Sequence, residues 1–119
     1  MRRHTELLAW QRAIQLVKEV YRLTSTFPDT ERYGLTAQMR RSAVSVPSNI
    51  AEGAARNGKA EFLHFLGIAR GSLSELDTQL VIARELGYCQ PDELIEKLID
   101  DVFGLLGGLI NSLKTSKSP

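Results

Sequence analysis

Residues 35–56 read LTAQMRRSAVSVPSNIAEGAAR, and apolar side chains recur within them at Leu35, Met39, Ala43, Val46, Ile50 and Ala54. Spacings of three and four place such residues on one face of an α-helix. The pattern predicts a helix over about 30–56, with Asp29 or Thr30 offering a side-chain oxygen to its first free amides. Pro47 deletes one backbone donor and crowds the carbonyl of Ala43. Because the stripe keeps its phase across Pro47, a kink is expected there rather than a break. A polar row, Ser42, Ser45, Asn49, Glu52 and Arg56, runs beside the apolar one at the same helical spacing.

Working outward, the same periodicity continues on both sides. Leu7, Trp10, Ile14, Val17 and Tyr21 predict a first helix over about 5–26, capped by Thr5 and stopped by the run from Thr24 to Pro28. After the Asn57-Gly58 turn, Phe62, Phe65, Leu66, Ala69, Leu73, Leu76, Leu80 and Ala83 predict a third helix over about 59–87. Glu61 can serve the first turn of that helix, and Gly87 suits a left-handed cap at its end. Pro91 suits the first position of a fourth helix over about 91–114, and Asp92 and Glu93 suit the positive end of its dipole. Its stripe reads Leu94, Leu98, Val102, Leu105, Leu109 and Leu113, and residues 115–119 form a frayed tail. No strand pattern competes. Four long helices with short connections predict an all-α, antiparallel up-down-up-down four-helix bundle, a single domain over 1–119.

Composition agrees with a packed domain: 119 residues, 43% hydrophobic and 24% charged, with a formal net charge of +1. The charge is unevenly spread. Residues 1–60 hold ten basic and five acidic groups, whereas residues 61–119 hold five basic and nine acidic. Cys89, the lone cysteine, cannot form an intramolecular disulfide, and no Cys/His cluster suggests a zinc site. The start of the chain lacks the apolar core of a signal peptide, no apolar run approaches membrane-spanning length, and a cytoplasmic location is expected.

Several constellations bear on function. Arg40 and Arg41 are adjacent on one helix and diverge by about 100°. With Arg2, Arg3, Arg12, Arg56 and Lys59 they are the candidates for phosphate contacts, each acting as a positioned cation; the alternative is ordinary solvated or interface-paired charge. The polar row, with Ser48 and with Ser72 and Glu75 from the third helix, predicts hydrogen bonding between helices or across a subunit contact. The alternative is a small-molecule or phosphodiester site. Glu61-x-x-His64 copies one element of di-iron bundles but occurs once, so no metal is expected. No nucleophile–base–electrophile set points to catalysis, and no cofactor is expected. Gly104, Gly107 and Gly108 each weaken the fourth helix by about 1 kcal/mol relative to alanine. With Leu105 and Leu109 they predict a tight crossing, within the chain or between subunits; the alternative is a locally irregular last turn.

The run from Gln38 to Gly53 is the most specific stretch of the chain. With Trp10-Gln11, Phe27-Pro28-x-x-Glu31, Tyr33-Gly34-Leu35, Glu61-Phe62, Ile68-Ala69-Arg70-Gly71-Ser72-Leu73 and Glu75-Leu76, it resembles the 23S rRNA intervening-sequence protein family. Those bacterial four-helix proteins are related to the accessory variability determinant proteins of diversity-generating retroelements. The likeness spans roughly Leu7 to Lys114 and departs at Gly58, where the family often has a serine cap. The resemblance implies a cytoplasmic four-helix bundle assembled as a homopentamer, without assigned enzymatic activity, that binds RNA or DNA. Two expectations follow from different classes. One is a non-enzymatic oligomer whose repeated basic positions meet RNA, DNA or a nucleoprotein partner. The other is an oligomeric protein-interaction scaffold with no direct nucleic-acid contact.

Overall fold

The computed structural model describes residues 3–116. Four α-helices, α1 (Leu8–Thr24), α2 (Leu35–Ala54), α3 (Lys59–Glu85) and α4 (Glu93–Thr115), carry the fold, and no strand occurs among the described residues. Short 3-10 turns at Arg3–Glu6 and Asp29–Glu31 precede α1 and α2. α1 packs on α2 and α4, and α3 packs on α2 and α4, around one continuous core.

α3 begins at Lys59 as expected, whereas the other three helix starts differ, each for a local reason. Residues Arg3–Glu6 wind into a 3-10 turn, so Thr5 does not cap α1; extended Leu7 stands at that position without a side-chain cap bond. Asp29 opens a second 3-10 turn, and the capping task on α2 passes to Glu31, whose Oε1 accepts from the Leu35 amide at 3.0 Å. Pro91 lies one residue ahead of the cap of α4. Asp92 takes that position, its Oδ1 accepting from the Ile95 amide at 3.0 Å. The end of α3 follows expectation: Gly87 has φ +78°, and the Tyr88 and Gly87 amides bond back to the carbonyls of Ala83 and Arg84.

α2 is helical through Pro47. Around the proline, Ser48 Oγ donates to the Val44 carbonyl at 2.8 Å, and Asn49 Nδ2 donates to the Ser45 carbonyl at 2.8 Å. The expected stripe on α2 is the observed one, with Met39, Ala43, Val46, Ile50 and Ala54 all buried.

On α1 the expected stripe is displaced. The core receives Ala9, Ala13, Leu16, Val20 and Leu23, whereas Ile14 and Tyr21 are 43% and 42% exposed and Trp10 and Val17 are half-buried. α1 carries two adjacent apolar rows. The row with two alanines faces inward, where small side chains let neighbouring helices approach. On α4 the core row runs through Ile95, Leu98, Ile99, Val102, Leu106 and Ile110; Leu94 is exposed, and Leu105, Leu109 and Leu113 are half-buried at its edge.

Gly53, not one of the α4 glycines, marks a close helix crossing within the chain. A Cβ there would lie 2.9 Å from both Phe62 Cδ1 and Phe65 Cβ and 3.2 Å from the Phe62 carbonyl oxygen. At Gly104, Gly107 and Gly108 a Cβ would meet nothing within 4 Å, so no tight crossing forms there within the chain.

Candidate functional site

Two grooves flank α2. On one side α2 and α3 diverge around a polar groove of about 470 Å³ lined by Gln38, Arg41, Ser42, Ser45, Ser72, Glu75 and Gln79. Its residues come from the polar row of α2 and from the facing turns of α3. Ser45 Oγ and Ser72 Oγ lie 2.9 Å apart and link the two helices, and Asn49 Nδ2 donates to Ser45 Oγ at 2.9 Å. The interhelical bonding expected of the polar row therefore exists at Ser45 and Ser72. Ser42 is buried beside them, and Glu75 stands at the exposed rim. Glu52 belongs to neither group; it pairs with Arg56 at 2.9 Å one turn along α2.

On the other side α1 and α2 leave an apolar groove of about 310 Å³ lined by Trp10, Ile14, Val17, Val44, Pro47, Ser48 and Ala51. It is neighboured by a second hollow bounded by Tyr21, Ala37, Arg40, Arg41, Val44 and Ser45. Trp10, Ile14 and Val17, expected in the core from their spacing, form this surface instead. The available signal was the second apolar row of α1, at Ala9, Ala13, Leu16 and Val20.

The basic candidates do not converge on one patch. Arg2 lies outside the described residues. Arg3 Nη1 donates to the Ala54 carbonyl at 3.4 Å, and its guanidinium sits 5.3 Å from the Phe62 ring centroid. Arg40 reaches across to α1: Nε donates to Thr24 Oγ1 at 2.9 Å, and the guanidinium stacks 4.4 Å from the Tyr21 centroid. Arg56 pairs with Glu52 and, at 3.7 Å, with Glu61, and lies 5.0 Å from the Phe65 centroid. Lys59 Nζ donates to the Ser116 carbonyl at 2.8 Å. Arg41 is exposed and lines both the polar groove and the hollow beside Arg40, and Arg12 is half-buried on α1; neither has an ion pair among the described residues.

Ion pairs tie α4 to its neighbours, one of them across the halves of opposite charge. Arg22 Nη2 meets Asp92 at 2.7 Å while its Nε meets Glu19 at 2.6 Å, tying the end of α1 to the start of α4. The Arg22 hydrogen bond holds the Asp92 carboxyl below its ordinary value, with further help from the Ile95 amide. Arg84 pairs with Glu96 at 3.0 Å between α3 and α4.

The remaining chemistry is sparse. Among the described residues no group of three or more His, Cys, Asp or Glu is placed to hold a metal. His64 is exposed and sits edge-on to Phe65 at 5.2 Å. Half-buried Cys89 has its thiol pKa raised by burial, which favours the unreactive protonated form. Among the described residues no helix is long and apolar enough to cross a membrane.

In a comparison with known families, the family model described as 23S rRNA-intervening sequence protein matches residues 5–108. Curated proteins give no match. The matched span contains both grooves, all four helix starts and the Gly53 crossing.

Proposed function

The chain belongs to the 23S rRNA-intervening sequence protein family, and from that premise we propose a non-enzymatic, self-associating helical protein that presents repeated basic positions to RNA or DNA. In this reading the helices follow an up-down-up-down order with α2 bent at Pro47, and copies assemble as the ring of five that the family resemblance implies. A ring needs a head-to-tail contact between two different faces. The apolar α1–α2 groove supplies one, and the open α4 side carrying Gly104, Leu105, Gly107, Gly108 and Leu109 supplies the other.

The observation that carries the reading is the apolar groove itself. Trp10, Ile14, Val17, Val44, Pro47 and Ala51 line it on helices whose core is already complete. The charge asymmetry supports the same pairing, since the groove lies in the basic half of the sequence and α4 in the acidic half. Each copy then adds Arg12 and Arg41 to the assembly, and five modest phosphate contacts act together through effective concentration.

A second reading, an interaction scaffold for a protein partner without direct nucleic-acid contact, draws on the engagement of Arg3, Arg40, Arg56 and Lys59 with protein atoms. Two measurements separate the readings. Sedimentation of the chain and of Ile14→Glu tests assembly, which the variant should lose while staying helical. Anisotropy of a labelled structured RNA at low and near-physiological salt tests binding, which should saturate, weaken with salt and decline in Arg41→Ala. A flat titration at both salts with the assembled protein favours the scaffold.

A further inference from the structure

The polar groove between α2 and α3 holds residues that neither assembly nor phosphate contact explains, Glu75 and Gln79 above all. Arg41 and Glu75 face it from opposite helices, and neither has an ion pair among the described residues. Ser42, Ser45 and Ser72 line it as well. Gln79, also in the lining, holds a buried Oε1 without a hydrogen-bond partner, the sole such side-chain atom among the described residues. A buried acceptor left unpaired is destabilising, so an orphan beside a roomy polar groove calls for a donor. The terminal torsion of a glutamine is soft, which lets Oε1 turn toward one seated in the groove.

We propose that this groove binds a small zwitterion of the α-amino-acid class with a hydrogen-bonding side chain. The guanidinium of Arg41 takes the carboxylate, a match of planar fork to planar anion. Glu75 takes the ammonium. Gln79 Oε1 accepts from a side-chain N–H or O–H, and the serine hydroxyls complete the shell. A ligand with a single charge leaves Arg41 or Glu75 facing an unmatched end. The volume of about 470 Å³ falls within the range of small-molecule sites.

The test is isothermal titration calorimetry of the full chain with L-glutamine and L-serine, with propionate and methylammonium as single-charge controls. Saturable binding of an amino acid is expected, with at least about tenfold weaker binding of either control. Arg41→Gln and Glu75→Gln should each weaken it by a similar factor. Gln79→Met removes the orphan oxygen at similar volume, so it should raise the thermal midpoint of the free protein while weakening the amino acid. The proposal is overturned if the wild-type chain shows no saturable heat with either amino acid, or if Glu75→Gln and Gln79→Met, folded by circular dichroism, bind as the wild type does. Glu75 and Gln79 have no part in the RNA reading, so loss of one result leaves the other standing.

Discussion

Glu31 and Tyr88, 57 positions apart in the sequence, meet at 2.8 Å, the tyrosine hydroxyl donating to Glu31 Oε2 while Oε1 accepts from the Leu35 amide. One carboxylate thus caps α2 and anchors the α3–α4 connection, with Tyr88 tilted against Phe27 at 5.6 Å. The Leu35 amide and then the Tyr88 hydroxyl hold the Glu31 carboxyl below its ordinary value, and the same bond raises the Tyr88 phenol. The two halves of this arrangement are separable. Tyr88→Phe keeps the cap and loses the anchor, whereas Glu31→Ala loses both, so thermal melts should rank wild type above Tyr88→Phe above Glu31→Ala. Equal midpoints for the two variants would show the capping bond to be idle.

Acid should weaken the protein through Glu31 and Asp92. Both have folded pKa values below their ordinary ones, the first mainly through the Leu35 amide and the second mainly through Arg22. For a depressed carboxyl the stabilisation is fully present above its unfolded pKa, about 4, and is lost as pH falls through the lower folded value. Denaturant midpoints should therefore hold from neutral pH down to about 5 and fall below about 4. In Glu31→Gln combined with Asp92→Asn the fall should be shallower.

Gly53 is expected to reject a methyl group. The new Cβ would press on Phe62 and Phe65, including the Phe62 backbone oxygen at 3.2 Å. Overpacking of this kind costs about 1–3 kcal/mol, more than the helix-propensity gain of about 1 kcal/mol. Chemical denaturation of Gly53→Ala should show a net loss of stability.

Gly108→Ala should do the opposite within one copy. Its Cβ enters open space, so the protomer gains about 0.5–1 kcal/mol of helix propensity. If α4 seats in the groove of a neighbouring copy, the same methyl holds the helices apart, and sedimentation should show weaker assembly of a more stable chain. Unchanged assembly would move the contact off this face of α4.

Ser45→Ala and Ser72→Ala probe the link between α2 and α3. Ser72 is buried, and loss of the Ser45 hydroxyl removes the partner of Ser72 Oγ and one of the two contacts of Asn49 Nδ2, which keeps its bond to the backbone carbonyl of residue 45. Ser45→Ala should cost about 1–3 kcal/mol. Ser72→Ala leaves the Asn49 contacts in place and should cost about 1 kcal/mol, a difference readable in urea denaturation.

The sequence by itself determined that four helices form, roughly where each lies, which residues of α2 and α3 turn inward, and that Gly87 ends α3 in a left-handed turn. These features depend on spacing, propensity and local backbone geometry, all contained within a few turns of chain. Only the tertiary structure decided between the two apolar rows of α1, because that choice rests on how closely α2 and α4 approach, and alanine loses to tryptophan in any reading by hydrophobicity alone. The same reason hid the apolar groove and the close approach of α3 to Gly53. Placement of the cations was equally non-local. Arg40 and Arg41 are neighbours in sequence, yet Arg40 is spent on Tyr21 and Thr24 whereas Arg41 is exposed and lines both the polar groove and the hollow beside Arg40, a division that depends on which helices pack on either side of α2.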